Sequence, residues 1–216
     1  MPFKEEREYR KAVELRIAPN EGEDKSYMVE GYATTFNDAY ELWREPGYIV
    51  KERVDPQAFN ETDMADVVFQ IDHCGRVYAR TSNSLLKLVA DSHGLKTSAD
   101  LGKTSSARSV FEDIEAGNYH QMSFAFTVKK DSYDEEELDD GTVVVTRNIL
   151  KVGKLYDVSA VSFPANPNTD ISARSKDLID GEIKRFEAER LHAKEIEEAR
   201  QALKDQISRL KGVSNG

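Results

Sequence analysis

A single cysteine, Cys74, stands among 216 residues. No internal disulfide can hold this chain, and no C-x-x-C pair offers a zinc or redox motif, which fits a reducing compartment. Long apolar runs are missing too. Nothing approaches the roughly 20 residues needed to cross a bilayer, and the opening MPFKEEREYRK lacks the apolar core of a secretory signal. Positive charge is in deficit: 30 Lys and Arg against 40 Asp and Glu leave a formal net charge of −10. That balance argues against nonspecific binding to nucleic acid or to an anionic membrane surface, and neither is expected as a partner. What is there is polar but not disordered. With 39% hydrophobic and 32% charged residues, a packed core is within reach if some segments stay outside it. The absences together describe a soluble, acidic, intracellular protein.

Two compositional regimes meet near residue 175. Upstream, short β-rich runs alternate with turn signals: 9–18, 26–36, 47–54, 66–72, 85–91, 94–101, 122–130, 142–151 and 154–163 all read as strands. Many short strands at this spacing suggest a sandwich or a barrel. Two helices are expected between them. DPQAFNET (55–62) opens with Asp55 as a cap and Pro56 at the first helical position. TSSARSVFEDIEAG (104–117) has capping hydroxyls, a Val110–Phe111–Ile114 stripe and a terminating Gly117. The acidic run DSYDEEELDDG (131–141) lacks the ligand spacing of a calcium loop and reads as a solvated hairpin tip. From Lys176 to about Lys211 there is no proline, and the only glycine is Gly181. Ile179, Phe186, Ala193, Ile196, Leu203, Ile207 and Leu210 recur at helical spacing, with charges breaking the seam. Residues 1–174 are therefore read as a β domain and 175–216 as a charged helical tail that needs a partner surface.

The candidates for chemistry are few. His192 falls on the tail, and His93 sits in a turn-like ADSHGLK. A zinc site from His73, Cys74 and His93 has no supporting spacing, and neither metal nor cofactor is expected. In DVVFQIDH, Val67, Phe69, Ile71 and His73 share one face of a strand by its period of two. His73 thus closes an apolar row where a side chain can be oriented by packing and still reach solvent. An ordinary imidazole pKa of about 6.5 suits a general base, although local pattern alone equally allows a strand-end histidine with no chemical role. Cys74 beside it invites a cysteine-hydrolase reading, but successive strand side chains point to opposite faces. The same parity separates His120 from Ser123. Ser123 interrupts the strand QMSFAFTV, and Asp157 interrupts KLYDVSAVSF. A carboxylate inside an apolar strand needs a donor or a positive partner, and a serine needs a base held by a third group before it is a nucleophile. His73, Ser123 and Asp157 come from three separate strands. By themselves they are three scattered residues and not a motif.

Their order along the chain carries more. VEGYATTF (29–36), ERVDPQAFNET (52–62), DVVFQIDH (66–73), LLKLVADSHGLKTSADL (85–101), IEAGNYHQMSFAF (114–126) and LYDVSAVSFPANPNTDIS (155–172) form a set that resembles the caudovirus prohead serine proteases. These are maturation proteases of tailed phages, similar in fold to herpesvirus assemblin. The resemblance covers roughly residues 8–174, with Gln57 where glycine is common. It implies an α+β, mainly β fold: a closed or partly open herpesvirus-protease-like barrel with a few surrounding helices, followed by the long C-terminal helix. It also implies Ser123 as nucleophile, His73 as base and Asp157 as the third member, where herpesvirus relatives use a second histidine. The implied substrates and partners are phage scaffold, the scaffold-like segment of the major capsid protein, and the protease itself. The implied place is the assembling prohead in the host cytoplasm. On this reading the tail binds scaffold, capsid subunits or another copy, or is removed by cleavage around 164–176. A non-catalytic assembly factor on the same fold is the rival from another class.

Overall fold

The longest strand organises the fold, and it does so along both of its edges. The structure is a computed structural model that describes residues 7–18, 27–162 and 173–213. The described strands are β1 (Glu8–Ile17), β2 (Met28–Thr35), β3 (Tyr40–Glu45), β4 (Tyr48–Val54), β5 (Val68–Ile71), β6 (Cys74–Arg80), β7 (Leu86–Ala90), β8 (Gly94–Asp100), β9 (Gln121–Glu137) and β10 (Val143–Val161). The helices are α1 (Ser105–Glu115) and α2 (Ala173–Val213). By internal contacts the chain divides into two units, 1–174 and 175–216.

Within the first unit, β9 runs antiparallel along one edge of β10, from Glu137 opposite Val143 to Gln121 opposite Val161. The other edge of β10 takes β4 beside residues 143–149 and β5 beside residues 157–160, both parallel to it. The segment 55–62 bridges β4 and β5. It is a series of turns and not the expected helix. Asp55 Oδ1 does accept from Gln57 N at 2.8 Å, as a cap would. However, Ala58 O accepts from Val152 N at 2.9 Å, and Thr62 Oγ1 donates to Val152 O at 3.0 Å. Those bonds tie eight residues to β10, and a helix so short gains too little from its own ladder to compete. The helix at 104–117 forms as α1, with Thr104 Oγ1 accepting from Ala107 N at 3.1 Å and Gly117 taking φ +81° just beyond its end.

The strands do not close into a barrel. Their order is β3-β4-β10-β9-β1-β2-β8-β7, with the β5–β6 hairpin branching from β10. Closure needs the first and last strands of the path to pair. Here β3 pairs with β4 and β7 with β8, and the two ends do not meet. β1 instead changes partner: Glu8 to Glu14 lie on β9, and Leu15 to Ile17 lie on β2, with a bulge between Lys11 and Glu14. A bulge bends a sheet, so this one turns the path without joining its ends. Two strands, β3 and β6, were not read from the sequence. The runs 142–151 and 154–163 are one strand bent by bulges around Gly153, where a Cβ would come within 3.0 Å of Thr127 Oγ1. The acidic run is half strand: β9 continues to Glu137, and the tip is only 138–142.

One face of β9 meets the apolar core through Met122, Phe124 and Phe126, which pack with Phe59, Phe69, Leu155 and Val158. Farther along the same face lies a buried ionic cluster. Arg10 donates to both oxygens of Glu52 at 2.6 and 2.9 Å and also bonds Glu8. Arg147 donates to Glu8 at 2.7 and 3.1 Å, to Glu52 at 3.2 Å and to Asp131 at 2.7 Å, and Tyr40 Oη donates to Glu52 at 2.6 Å. Burial works against both guanidinium charges. The carboxylates of Glu52 and Glu8 more than offset it, so both arginines stay charged with pKa values above the ordinary one.

The second unit is the single helix α2, in which Leu191, Ile196, Leu203 and Ile207 are exposed. Arg185 pairs with Glu182 at 2.8 Å and with Glu189 at 3.4 Å, one turn either way. None of the described helices is long and apolar enough to cross a membrane. Of the linker proposed for cleavage, residues 164–172 lie outside the described residues, and so does the last residue of the run 154–163.

Candidate active site

His73 is not the end of a strand. β5 stops at Ile71 and β6 starts at Cys74, with these two residues paired across the hairpin. Asp72 and His73 are the two turn residues, at φ +49° and +57°. Positive φ at both central positions is the type I′ geometry, whose twist suits a two-residue hairpin and which glycine, asparagine and aspartate tolerate best. Asp72 meets that preference; His73 does not. The turn is held from outside. Asp72 N donates to Ala160 O at 2.9 Å, while its carboxylate accepts from Ser162 N at 2.8 Å and from Ser162 Oγ at 2.7 Å. The strained tip is thereby fixed to the C-terminal end of β10.

Ser123 lies near the start of β9, opposite Ser159 of β10 on one side and Lys11 of β1 on the other. Side chains opposed in an antiparallel ladder share a face, so Ser123 and Ser159 stand together, away from Phe124 and Arg10. Asp157 reaches that face through a bulge. Leu155 opposes Phe126, but Asp157 opposes Ala125, with Tyr156 the extra residue between them. In an unbroken ladder Asp157 would oppose Phe124 and point into the core. The bulge sends Leu155 to the core and Asp157 to the face of Ser123.

These three routes converge. His73 Nε2 lies 2.7 Å from Ser123 Oγ, and Nδ1 lies 2.5 Å from Asp157 Oδ1. The tautomer follows from the partners: a carboxylate only accepts, so Nδ1 carries the proton and Nε2 is free to accept from the hydroxyl. Asp157 Oδ1 also accepts from Ser159 Oγ at 2.7 Å. The edge of Tyr9 packs against the imidazole, with ring centroids 4.7 Å apart and planes at 70°. Ser123 has no exposed surface and Asp157 very little, while the His73 side chain is 17% exposed. The line therefore meets solvent at its imidazole.

The other candidates lie elsewhere. Both nitrogens of His73 are engaged, and the exposed Cys74 approaches Ile71 O at 3.7 Å. His120 is exposed just before β9, His93 is exposed against Tyr32, and His192 is exposed on α2. Among the described residues no three His, Cys, Asp or Glu side chains gather as a metal site. Sequence parity missed Asp72, Tyr9 and the Tyr156 bulge. Only the first left a partial signal: aspartate is favoured at a two-residue turn, although the glycine that completes the usual Asp-Gly pair is absent at position 73.

A family model described as caudovirus prohead serine protease matches residues 13–182. No curated protein and no solved structure matches the chain.

Proposed function

Because this chain belongs to the caudovirus prohead serine protease family, we propose that it is a capsid-maturation endopeptidase working through Ser123, His73 and Asp157. The family supplies the coarse statement: a serine protease of phage capsid maturation, acting within the assembling capsid in the host cell with capsid and scaffold proteins as its partners. The observation that carries the finer one is the unbroken hydrogen-bonded line Ser123 Oγ–His73–Asp157, at 2.7 and 2.5 Å.

The chemistry follows the polarity of that line. Ser123 Oγ attacks a peptide carbonyl carbon, and its proton passes to His73 Nε2. The new C–O bond forms as the carbonyl π pair moves onto oxygen. Collapse of the tetrahedral intermediate breaks the C–N bond, and the leaving amine takes the proton from Nε2. Water then attacks the acyl carbon and gives a proton to Nε2. Collapse of the second intermediate breaks the ester C–Oγ bond, and Ser123 Oγ takes the proton back from Nε2 as the acid product leaves. Asp157 holds Nδ1–H throughout and stabilises the transient imidazolium. The edge of Tyr9 limits rotation of the ring, which keeps Nε2 aimed at Oγ.

The substrates we infer are scaffold, the scaffold-like segment of the major capsid protein, and the protease itself. Residues 175–216 are assigned to holding the enzyme to those proteins or to a second copy. The test is fluorophosphonate labelling of the whole chain followed by peptide mass spectrometry. Label on Ser123, absent from His73→Ala, is the expected result. Label on another residue, or alkylation of Cys74 by iodoacetamide that stops cleavage, overturns the assignment. Capsid maturation that proceeds with Ser123→Ala would establish the non-catalytic assembly factor instead.

A further inference from the structure

We propose that Ser159 is a positioning residue of this same site, fixing the Asp157 carboxylate so that one of its oxygens serves His73. The proposal rests on the triad reading above. Ser159 Oγ lies 2.7 Å from Asp157 Oδ1, the same oxygen that accepts from His73 Nδ1. Ser159 has no exposed surface, so no water takes the place of its hydroxyl.

Serine brings a polar hydroxyl into a fully buried stretch of strand, and this slot is flanked by Val158 and Ala160, both fully buried in the core. The position would suit alanine or valine if packing alone filled it. A buried carboxylate needs donors, and the imidazole supplies one from a hairpin tip. Ser159 supplies the other from the strand that carries Asp157 itself, two residues along and on the same face. The terminal torsion of an aspartate is broad, and a second donor on the same oxygen narrows it. When the imidazole gains its second proton during acyl transfer, the Ser159 bond keeps negative charge on Oδ1, facing the new cation. Ser159 is no alternative nucleophile. Its proton points to Asp157, and both nitrogens of His73 are occupied.

Two readouts on the full chain test this, and neither needs a known substrate. The first is the rate at which a fluorophosphonate labels Ser123. The second is the low-field proton resonance of His73 Nδ1–H···Asp157. In Ser159→Ala, labelling is expected to slow about tenfold to a hundredfold, the range a small misplacement in an active site costs. The low-field proton should move while near-ultraviolet circular dichroism stays native. A role in packing alone would leave the resonance where it is. Wild-type labelling with an unchanged rate and an unmoved resonance in Ser159→Ala overturns the proposal and leaves the triad standing. Failure of the wild type to label Ser123 overturns the triad reading, and the resonance then decides whether Ser159 holds Asp157. If Ser159→Ala does not fold, Ser159→Cys, which keeps the volume and a weak donor, is held to the same two outcomes.

Discussion

Two buried polar networks share strands β1, β9 and β10, and by register they occupy opposite faces. The Arg10–Glu52–Arg147–Glu8 cluster is closed. Each charge faces an opposite charge, and the four side chains are at most 4% exposed. Its residues sit in regular stretches of ladder. The Ser123–His73–Asp157 line meets solvent at the imidazole in its middle, and its members depend on irregular backbone: a left-handed turn under His73 and a bulge before Asp157. A closed network of matched charges specifies a fold and offers nothing for a reaction to change. A line that reaches solvent at its central imidazole, held on strained backbone, can pass a proton from the hydroxyl and give it back. Burial alone does not separate the two; closure and backbone regularity do.

The two networks should dissociate under mutation, and the largest effect falls on the site. Ser123→Ala should lower peptide cleavage by about 10⁴-fold or more with an unchanged urea midpoint. A folded Ser123→Ala that still cleaves would end the distinction between the two networks. The cluster should behave in the opposite way. Arg147→Met leaves Glu8 and Asp131 short of a cation, and breaking one partner of a buried ionic set costs about 3–5 kcal/mol. Equilibrium urea unfolding measures that loss, and the fraction still folded should label Ser123 at the wild-type rate. Replacing Glu8, Arg10, Glu52 and Arg147 together by apolar residues of similar volume should recover most of the stability. A cluster variant that folds normally but loses labelling would show that the cluster serves the site.

A smaller effect tests the turn. Asp72→Gly accepts positive φ without strain but removes the carboxylate that holds Ser162. Because this clamp is solvent-exposed, turnover should fall by only about tenfold, with KM nearly unchanged. Asp72→Asn keeps both the turn preference and an acceptor, and should lie between Gly and wild type. Equal activity in all three would mean that β5 and β6 fix His73 unaided.

Why the sequence revealed some of this and hid the rest follows from the same contrast. Alternation made most strands visible, and a Thr104 cap with a terminating Gly117 made α1 visible, because these are local properties. Ser123, His73 and Asp157 are singled out through resemblance and by their odd chemistry inside apolar runs, and the structure brings the three side chains into one hydrogen-bonded line. What parity could not supply was geometry at irregular points. It put His73 on a strand face, whereas the residue sits in a turn. It could not foresee that Tyr156 would be skipped, which sends Asp157 to the face of Ser123. The helix expected at 55–62 was lost to backbone bonds from β10, residues about 90 positions away. The ionic cluster was invisible for a related reason: Glu8, Arg10, Glu52 and Arg147 look like solvent-facing charges until three strands bring them together.

The smallest prediction concerns pH and belongs to the cluster alone. Tyr40 donates to Glu52 at 2.6 Å; burial first, and the adjacent Glu52 charge second, raise its pKa well above the ordinary tyrosine value. The folded state therefore holds this proton more tightly than the unfolded chain does. That contribution to stability is complete below the unfolded pKa of about 10 and is lost as pH rises through the folded one. Unfolding free energy should thus decline above about pH 10. Tyr40→Phe should flatten that decline while lowering stability near neutrality by about 1 kcal/mol for the missing hydrogen bond. An alkaline slope unchanged in Tyr40→Phe would place the sensitive proton elsewhere, with Tyr133 next in line because burial raises its pKa too.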